Sequence, residues 1–171
     1  MLKLIIDKVP RIIKNREKLE EKLEVKIENR GKEVYVDGEP ENEYIAEKVL
    51  EALNFGFPFS IALLIKTDDR ELEIINIKDH TKRKDLITIK ARIIGMNGKT
   101  LKTLNSLTKC DFEIKENRVG IIGDPEYIKN AQYAIIALIK GSKQANTYAY
   151  LEKHQPKEIF DLGLKEVKKK K

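Results

Sequence analysis

The sequence predicts an α+β protein built from two copies of one β-α-α-β-β-α module, each a three-stranded sheet packed by helices. Three observations predict it. The first is an internal repeat: "KEVYVDGEPENEYIAEKVLEALNFG" (32–56) aligns with "RVGIIGDPEYIKNAQYAIIALIKG" (118–141) when Gly38 is set on Gly123, an offset of 85. Pro40 then meets Pro125, Ala46 meets Ala131, Leu53 meets Leu138 and Gly56 meets Gly141. The second is a pair of short strands rich in β-branched residues ahead of each closing helix. The third is the repeated segment itself, which switches from strand to helical periodicity at the proline.

The elements follow in order. "KLIIDKV" (3–9) reads as a strand, and "RII" (11–13) opens a helical region. "VKIEN" (25–29) and "EVYVDG" (33–38) read as strands separated by polar turn residues. Ile45, Val49 and Leu53 then share one face of a closing helix. "FPFSIALLIKTDD" (57–69) is short and apolar and is expected to hold a connector helix at about 57–66. The second copy starts with "LEIINIK" (72–78) as a strand, and "RII" recurs at 92–94 between "KDLITIKARII" and "KTLKTLNSLTK", both helical. "DFEIKEN" (111–117) and "RVGIIGD" (118–124) are its two later strands. The closing helix begins at Asp124-Pro125, with Ile128, Ala131, Ile135, Leu138 and Ile139 on one face. The expected domains are 1–70, 71–160 and a basic, disordered tail over 161–171 ending "KEVKKKK".

Charge divides the copies. Residues 1–75 hold 13 Lys and Arg against 17 Asp and Glu, a net of −4, whereas 76–171 hold 21 against 11, a net of +10. A basic half of this kind is suited to a polyanion. Several function classes find no support. One cysteine, Cys110, makes neither an internal disulfide nor a cysteine-based metal site, and His80 and His154 lack neighbours at ligand spacing. No Asp/Glu/His set stands out from the ionised surface, so neither an enzyme nor a cofactor is expected. No apolar run approaches the ~20 residues of a membrane span, and "MLKLII" is too short for a signal-peptide core with Asp7 following at once. A cytoplasmic protein with no membrane partner is expected.

The informative motif is "RIIGMNGKT" (92–100). It is not an NTP-binding phosphate loop: five residues before Gly98 stands Ile93 rather than glycine, and a helix, not a strand, precedes it. A Gly-x-x-Gly turn between helices instead lets a backbone approach closely, and the N-terminus of the second helix favours an anion. Lys82, Arg83, Lys84, Lys90, Arg92, Lys99 and Lys102 crowd it, and Asp85 is the only acid within 82–102. The first copy has "RIIKNREK" at the same place and no glycine pair.

From residue 72 to about 154 this arrangement resembles the K-homology (KH) domain of type I, with its "IIGxxGxxL" turn between two short helices. That resemblance implies a clamp on the backbone of about four single-stranded nucleotides. Carried over, Gly95, Met96, Asn97 and Gly98 form the clamp, and Ile93 and Ile94 lie at or under an apolar groove for the bases. Arg92 and Lys99 neutralise phosphates, with Lys90, Thr100 and Lys102 alongside; Leu101, Leu104 and Leu107 recur on one helix face and read as core. The tandem of a degenerate and an intact module is similar to the KH proteins of small-subunit assembly, the archaeal relatives of the eukaryotic partner-of-Nob protein. "LIKGSKQANTYAYLEK" adds to this, resembling that family's ending of the long helix at Gly141, Ser142, Thr147, Tyr148, Leu151 and Glu152. Met96 departs from it, in a position that is usually basic. The resemblance implies single-stranded RNA at the 3′ end of small-subunit ribosomal RNA as ligand. It also implies a Nob-type nuclease and the alpha subunit of initiation factor 2 as partners, docked by the acidic first module. Two other readings stay open from the residues: a non-catalytic protein-interaction scaffold, and a translation-associated KH protein with another RNA target.

Overall fold

The first 72 residues form one compact unit and the chain from Glu73 a second. The computed structural model describes residues 1–155 and the backbone of 160–161 and 165–166. In the first unit β1 (Leu2–Ile5) leads to α1 (Val9–Lys14) and α2 (Arg16–Leu23). Strands β2 (Val25–Arg30) and β3 (Glu33–Gly38) follow, then α3 (Pro40–Phe55) and two helical turns, α4 (Phe59–Ala62) and α5 (Leu64–Thr67). The sheet order is β1-β3-β2, antiparallel throughout, with Leu2 opposite Val36 and Val25 opposite Gly38. Strand alternation puts Val25, Ile27, Val34 and Val36 on one face, where they are buried together with Leu19 and Leu23 of α2 and Val49, Leu50 and Leu53 of α3. Each such side chain contributes about 1.5–3 kcal/mol of burial, which is what holds two helices on a sheet of short strands.

The second unit repeats the plan. β4 (Glu71–Asn76), a 3₁₀ turn (Ile77–His80), α6 (Leu86–Ile94), a second 3₁₀ turn (Met96–Gly98) and α7 (Lys99–Thr108) come first. β5 (Asp111–Lys115), β6 (Arg118–Gly123), α8 (Pro125–Ile139) and α9 (Gln144–Lys153) complete it. Its sheet order is β4-β6-β5, again antiparallel, with Asp111 opposite Ile122 and Lys115 opposite Arg118. Ile75, Ile89, Ile93, Leu104, Val119, Ile121, Ile135 and Leu138 form one buried cluster, with Leu101 and Leu107 packed at its edge and Cys110 enclosed in it. The α+β class and the two helix-packed three-stranded sheets are thus as the sequence predicts.

The differences lie at element ends. The first strand stops at Ile5, short of the expected Val9, because the N–H groups of Asp7 and Lys8 donate to Asn54 Oδ1 and the chain turns into α1. Strand β4 stops at Asn76, short of the expected Lys78: the Asn76 side chain accepts the Lys78 N–H and starts a 3₁₀ turn. The connector is two separate turns, broken at Leu63, not one helix over 57–66. The closing helix of the second copy also ends earlier than expected. Helix α8 stops at Ile139, Gly141 takes φ +99°, and "QANTYAYLEK" is a helix of its own, α9. Of the tail expected to be disordered over 161–171, most lies outside the described residues; the described part pairs Phe160–Asp161 with Lys165–Glu166 as short antiparallel strands β7 and β8.

Candidate nucleic-acid interface

The interface is built at the junction of α6 and α7. Asp85 starts α6, its carboxylate accepting the N–H and hydroxyl of Thr88, which hold that carboxyl below its ordinary range. The helix ends where the Gly95 N–H donates to Ala91 O, and Gly95 then adopts φ +75°, ψ 171°, a conformation open essentially to glycine alone. A Cβ at Gly95 would overlap Thr100 Oγ1 and lie 2.6 Å from the Thr100 nitrogen. Asn97 (φ 53°) and Gly98 (φ +74°) are both left-handed, and the Gly98 N–H donates to Gly95 O at 3.2 Å, closing the turn. Nothing lies within 4 Å of the place a Gly98 Cβ would take. The two glycines therefore do different jobs. Gly95 allows the loop to sit on α7, and Gly98 leaves its outer side open to a ligand.

Helix α7 starts at this open side with no side-chain cap and no acid in its first turn, so its N-terminal partial charge is left to solvent. Met96 is 84% exposed, and Asn97, Lys99 and Lys102 are exposed around it. Ile94 (37% exposed) and Ile87 (77% exposed), seven residues apart on α6, offer apolar surface along one helix face, with half-buried Lys90 between them in sequence. Lys82, Arg83 and Lys84 are also exposed.

Three expected contact residues sit behind the loop rather than on it. Ile93 is fully buried in one cluster with Ile89, Leu104 and Ile135, so of the two expected places, at or under a groove, it lies in the core beneath the loop. Thr100 is buried under Gly95. Arg92, expected to neutralise phosphate, donates from Nη1 to Leu138 O at 3.4 Å and from Nη2 to Ser142 O at 2.6 Å. Its guanidinium thus satisfies carbonyls at the end of α8, where the helix dipole favours a cation.

The first copy explains Arg92. Arg11, the matching residue of "RII", donates to Leu53 O at 3.2 Å and to Phe57 O at 3.0 Å. At the repeat offset of 85, Leu53 corresponds to Leu138 and Phe57 to Ser142. The same arginine latch therefore closes both modules, with or without a clamp. Ile12 and Ile93 are likewise the buried members, and Ile13 and Ile94 the exposed members, of their "RII" segments. We expect Arg92→Ala to destabilise the second unit by about 2 kcal/mol, two charge-assisted bonds at a partly exposed site. Thermal unfolding should show a drop of roughly 10 °C, and Lys99→Ala should leave the midpoint within experimental error.

Where the second unit has its glycine turn, the first joins α1 to α2 through Asn15 alone. Asn15 Nδ2 folds back onto Arg11 O at 3.0 Å, and Glu17 stands in the first turn of α2. No open glycine turn exists there, and the acid in the first turn of α2 disfavours an anion at that helix start. Sequence reasoning named Ser142 only as part of a helix ending and missed Gln144; both touch the loop's supports. Extending the repeat alignment past Gly56 and Gly141 would have set them opposite Phe57 and Phe59.

The strand order, the paired helices and the glycine turn define the second unit as a KH domain of type I. A family model described as "Eukaryotic type KH-domain (KH-domain type I)", for the second KH domain of PNO1, matches residues 71–156. The chain belongs to this PNO1-like KH family. It is 34% identical over 113 residues to the KH domain-containing protein MJ0443 of Methanocaldococcus jannaschii, covering 66% of this chain and 50% of that one. It is 30% identical over 105 residues to the pre-rRNA-processing protein PNO1 of Debaryomyces hansenii, covering 60% and 41%. The chain spans about half the length of the curated relatives it matches. Among solved structures, Dim2p from Pyrococcus horikoshii superposes with a TM-score of 0.82 at 26% identity, covering 89% of this chain and 98% of that one. A chain from an a/eIF2alpha-aDim2p-rRNA complex of the same organism gives 0.82 at 26% identity, covering 90% and 92%.

Among the described residues no group of His, Cys, Asp and Glu could hold a metal ion, and no helix is long and apolar enough to cross a membrane.

Proposed function

We propose that this chain binds single-stranded RNA through the Gly95–Gly98 turn and acts, without catalysis, as a small-subunit ribosome assembly and rRNA processing factor. Its RNA target on this reading is the 3′ region of small-subunit rRNA. The observation that carries the reading is the open turn itself: an exposed, left-handed loop at the uncapped start of α7, with lysines and no acid on its helix start. Such a turn lets a phosphate approach its backbone and the N-terminus of α7 closely while Ile94 and Ile87 face the bases. The relative solved with rRNA and an initiation-factor alpha subunit supports the ligand class and one partner. The acidic first unit, without a clamp and with exposed Ile13 and Tyr44, serves on this reading to dock protein partners. Those partners are a Nob-type nuclease and the alpha subunit of initiation factor 2.

Competition binding tests it. A labelled single-stranded oligonucleotide carrying the rRNA 3′ sequence is bound, and unlabelled specific, scrambled and duplex RNAs compete. The specific strand should compete best and the duplex worst. Tripling the salt concentration should weaken binding about tenfold if about three phosphates are neutralised. Equal competition by the scrambled strand would point to a KH protein with another RNA target. No measurable binding would leave the protein-interaction scaffold.

A further inference from the structure

The two copies satisfy one backbone carbonyl in different ways. In the first, Arg11 O accepts Asn15 Nδ2, a side chain one helical turn further on. In the second the chain has already turned away at Gly95, and the corresponding Arg92 O accepts Gln144 Nε2 at 3.2 Å, from the start of α9. The same nitrogen donates to Thr100 Oγ1 at 3.1 Å. Only the NH₂ end of an amide can donate to a carbonyl, and it carries two hydrogens, so both bonds can form at once. Gln144 therefore ties the last turn of α6 to the first turn of α7, across the base of the glycine loop. Thr100 is also the residue against which Gly95 is packed.

The repeat gives an independent comparison. Helix α4 starts at Phe59 after Pro58, and α9 starts at Gln144 after Lys143. These starts are again 85 residues apart. The copy with the open turn has a bonding amide at this position, and the copy without it has an aromatic ring.

We propose that Gln144 is the positioning residue of the RNA clamp. It touches no ligand. It holds the Gly95–Gly98 turn in one conformation, with the side of Gly98 left open to a ligand, and so reduces the ordering cost that a glycine-containing loop would otherwise incur on binding. This rests on the single-stranded RNA reading above.

The test uses the full chain with Gln144→Leu, and with Gln144→Phe to import the first copy's residue. Three quantities are measured: affinity for the single-stranded rRNA 3′-end oligonucleotide, amide hydrogen exchange at residues 96–99 without RNA, and the thermal midpoint. Both variants should bind about three- to tenfold more weakly, the equivalent of one or two lost hydrogen bonds. Their loop amides should exchange faster, while the assay temperature stays far below the midpoint. A residue that merely stabilised the unit would lower the midpoint and leave affinity and loop exchange unchanged, and that result overturns the proposal. Unchanged loop exchange overturns it even if affinity falls. Failure of the wild-type chain to bind the RNA overturns the RNA reading and this inference with it.

Discussion

Replacing Met96 and Asn97 together by aspartate should weaken single-stranded RNA binding by about 100-fold or more and leave the fold intact. The loss combines charge-assisted bonds from the loop, at about 1.5–3 kcal/mol each, with direct repulsion between two carboxylates and a phosphate. The fold should survive because neither side chain has a packing role. Met96 is 84% exposed, Asn97 is exposed, and aspartate tolerates the left-handed conformation that Asn97 adopts at φ 53°. Titration with the rRNA 3′-end oligonucleotide, beside a thermal melt, separates the two effects. Affinity within twofold of the unsubstituted chain would mean that the phosphate lies elsewhere.

Gly95→Ala should have the opposite profile, a large loss of stability. The residue would have to keep φ +75° and ψ 171°, at about 1–3 kcal/mol of strain. Its Cβ would also overlap Thr100, which is buried and fixed by Gln144, adding about 1–3 kcal/mol of overpacking. Together these predict a destabilisation of about 2–6 kcal/mol of the second unit, read by denaturant or thermal unfolding. Gly98→Ala differs, because its Cβ would meet nothing within 4 Å and only the left-handed φ resists it. It should cost about 1–2 kcal/mol. If the two alanine variants unfold alike, the division between a packed glycine and an open one is wrong.

Both glycines were legible in the sequence, and so was the contrast with "RIIKNREK". The element order of each module followed from the repeat, because two copies must solve the same packing problem with similar apolar positions. Arg92 was harder. A basic residue beside a basic turn reads as a phosphate contact, and nothing local shows that its guanidinium ends on carbonyls about 50 residues later. The repeat did hold a clue: an arginine kept in the copy without a clamp must have other work. Ile93 was separable from Ile94 by helical period, since it follows Ile89 by four residues and Ile94 follows Ile87 by seven. The break between α8 and α9 was hidden because glutamine, alanine and lysine around it are good helix formers, and Gly141 alone signals the stop. Gln144 was invisible for the same reason: its role depends on a helix end brought to the loop by packing of α9 on the rest of the unit, where Thr147 and Leu151 are buried.

The central claim is a division of labour, with one half gripping RNA and the other not. Amide hydrogen exchange of the full chain, with and without the single-stranded rRNA 3′-end oligonucleotide, tests it most directly. Protection should appear over residues 94–102 and be absent from the α1–α2 junction around Asn15. Protection at Asn15, or none at the Gly95–Gly98 turn despite saturating RNA, would contradict it.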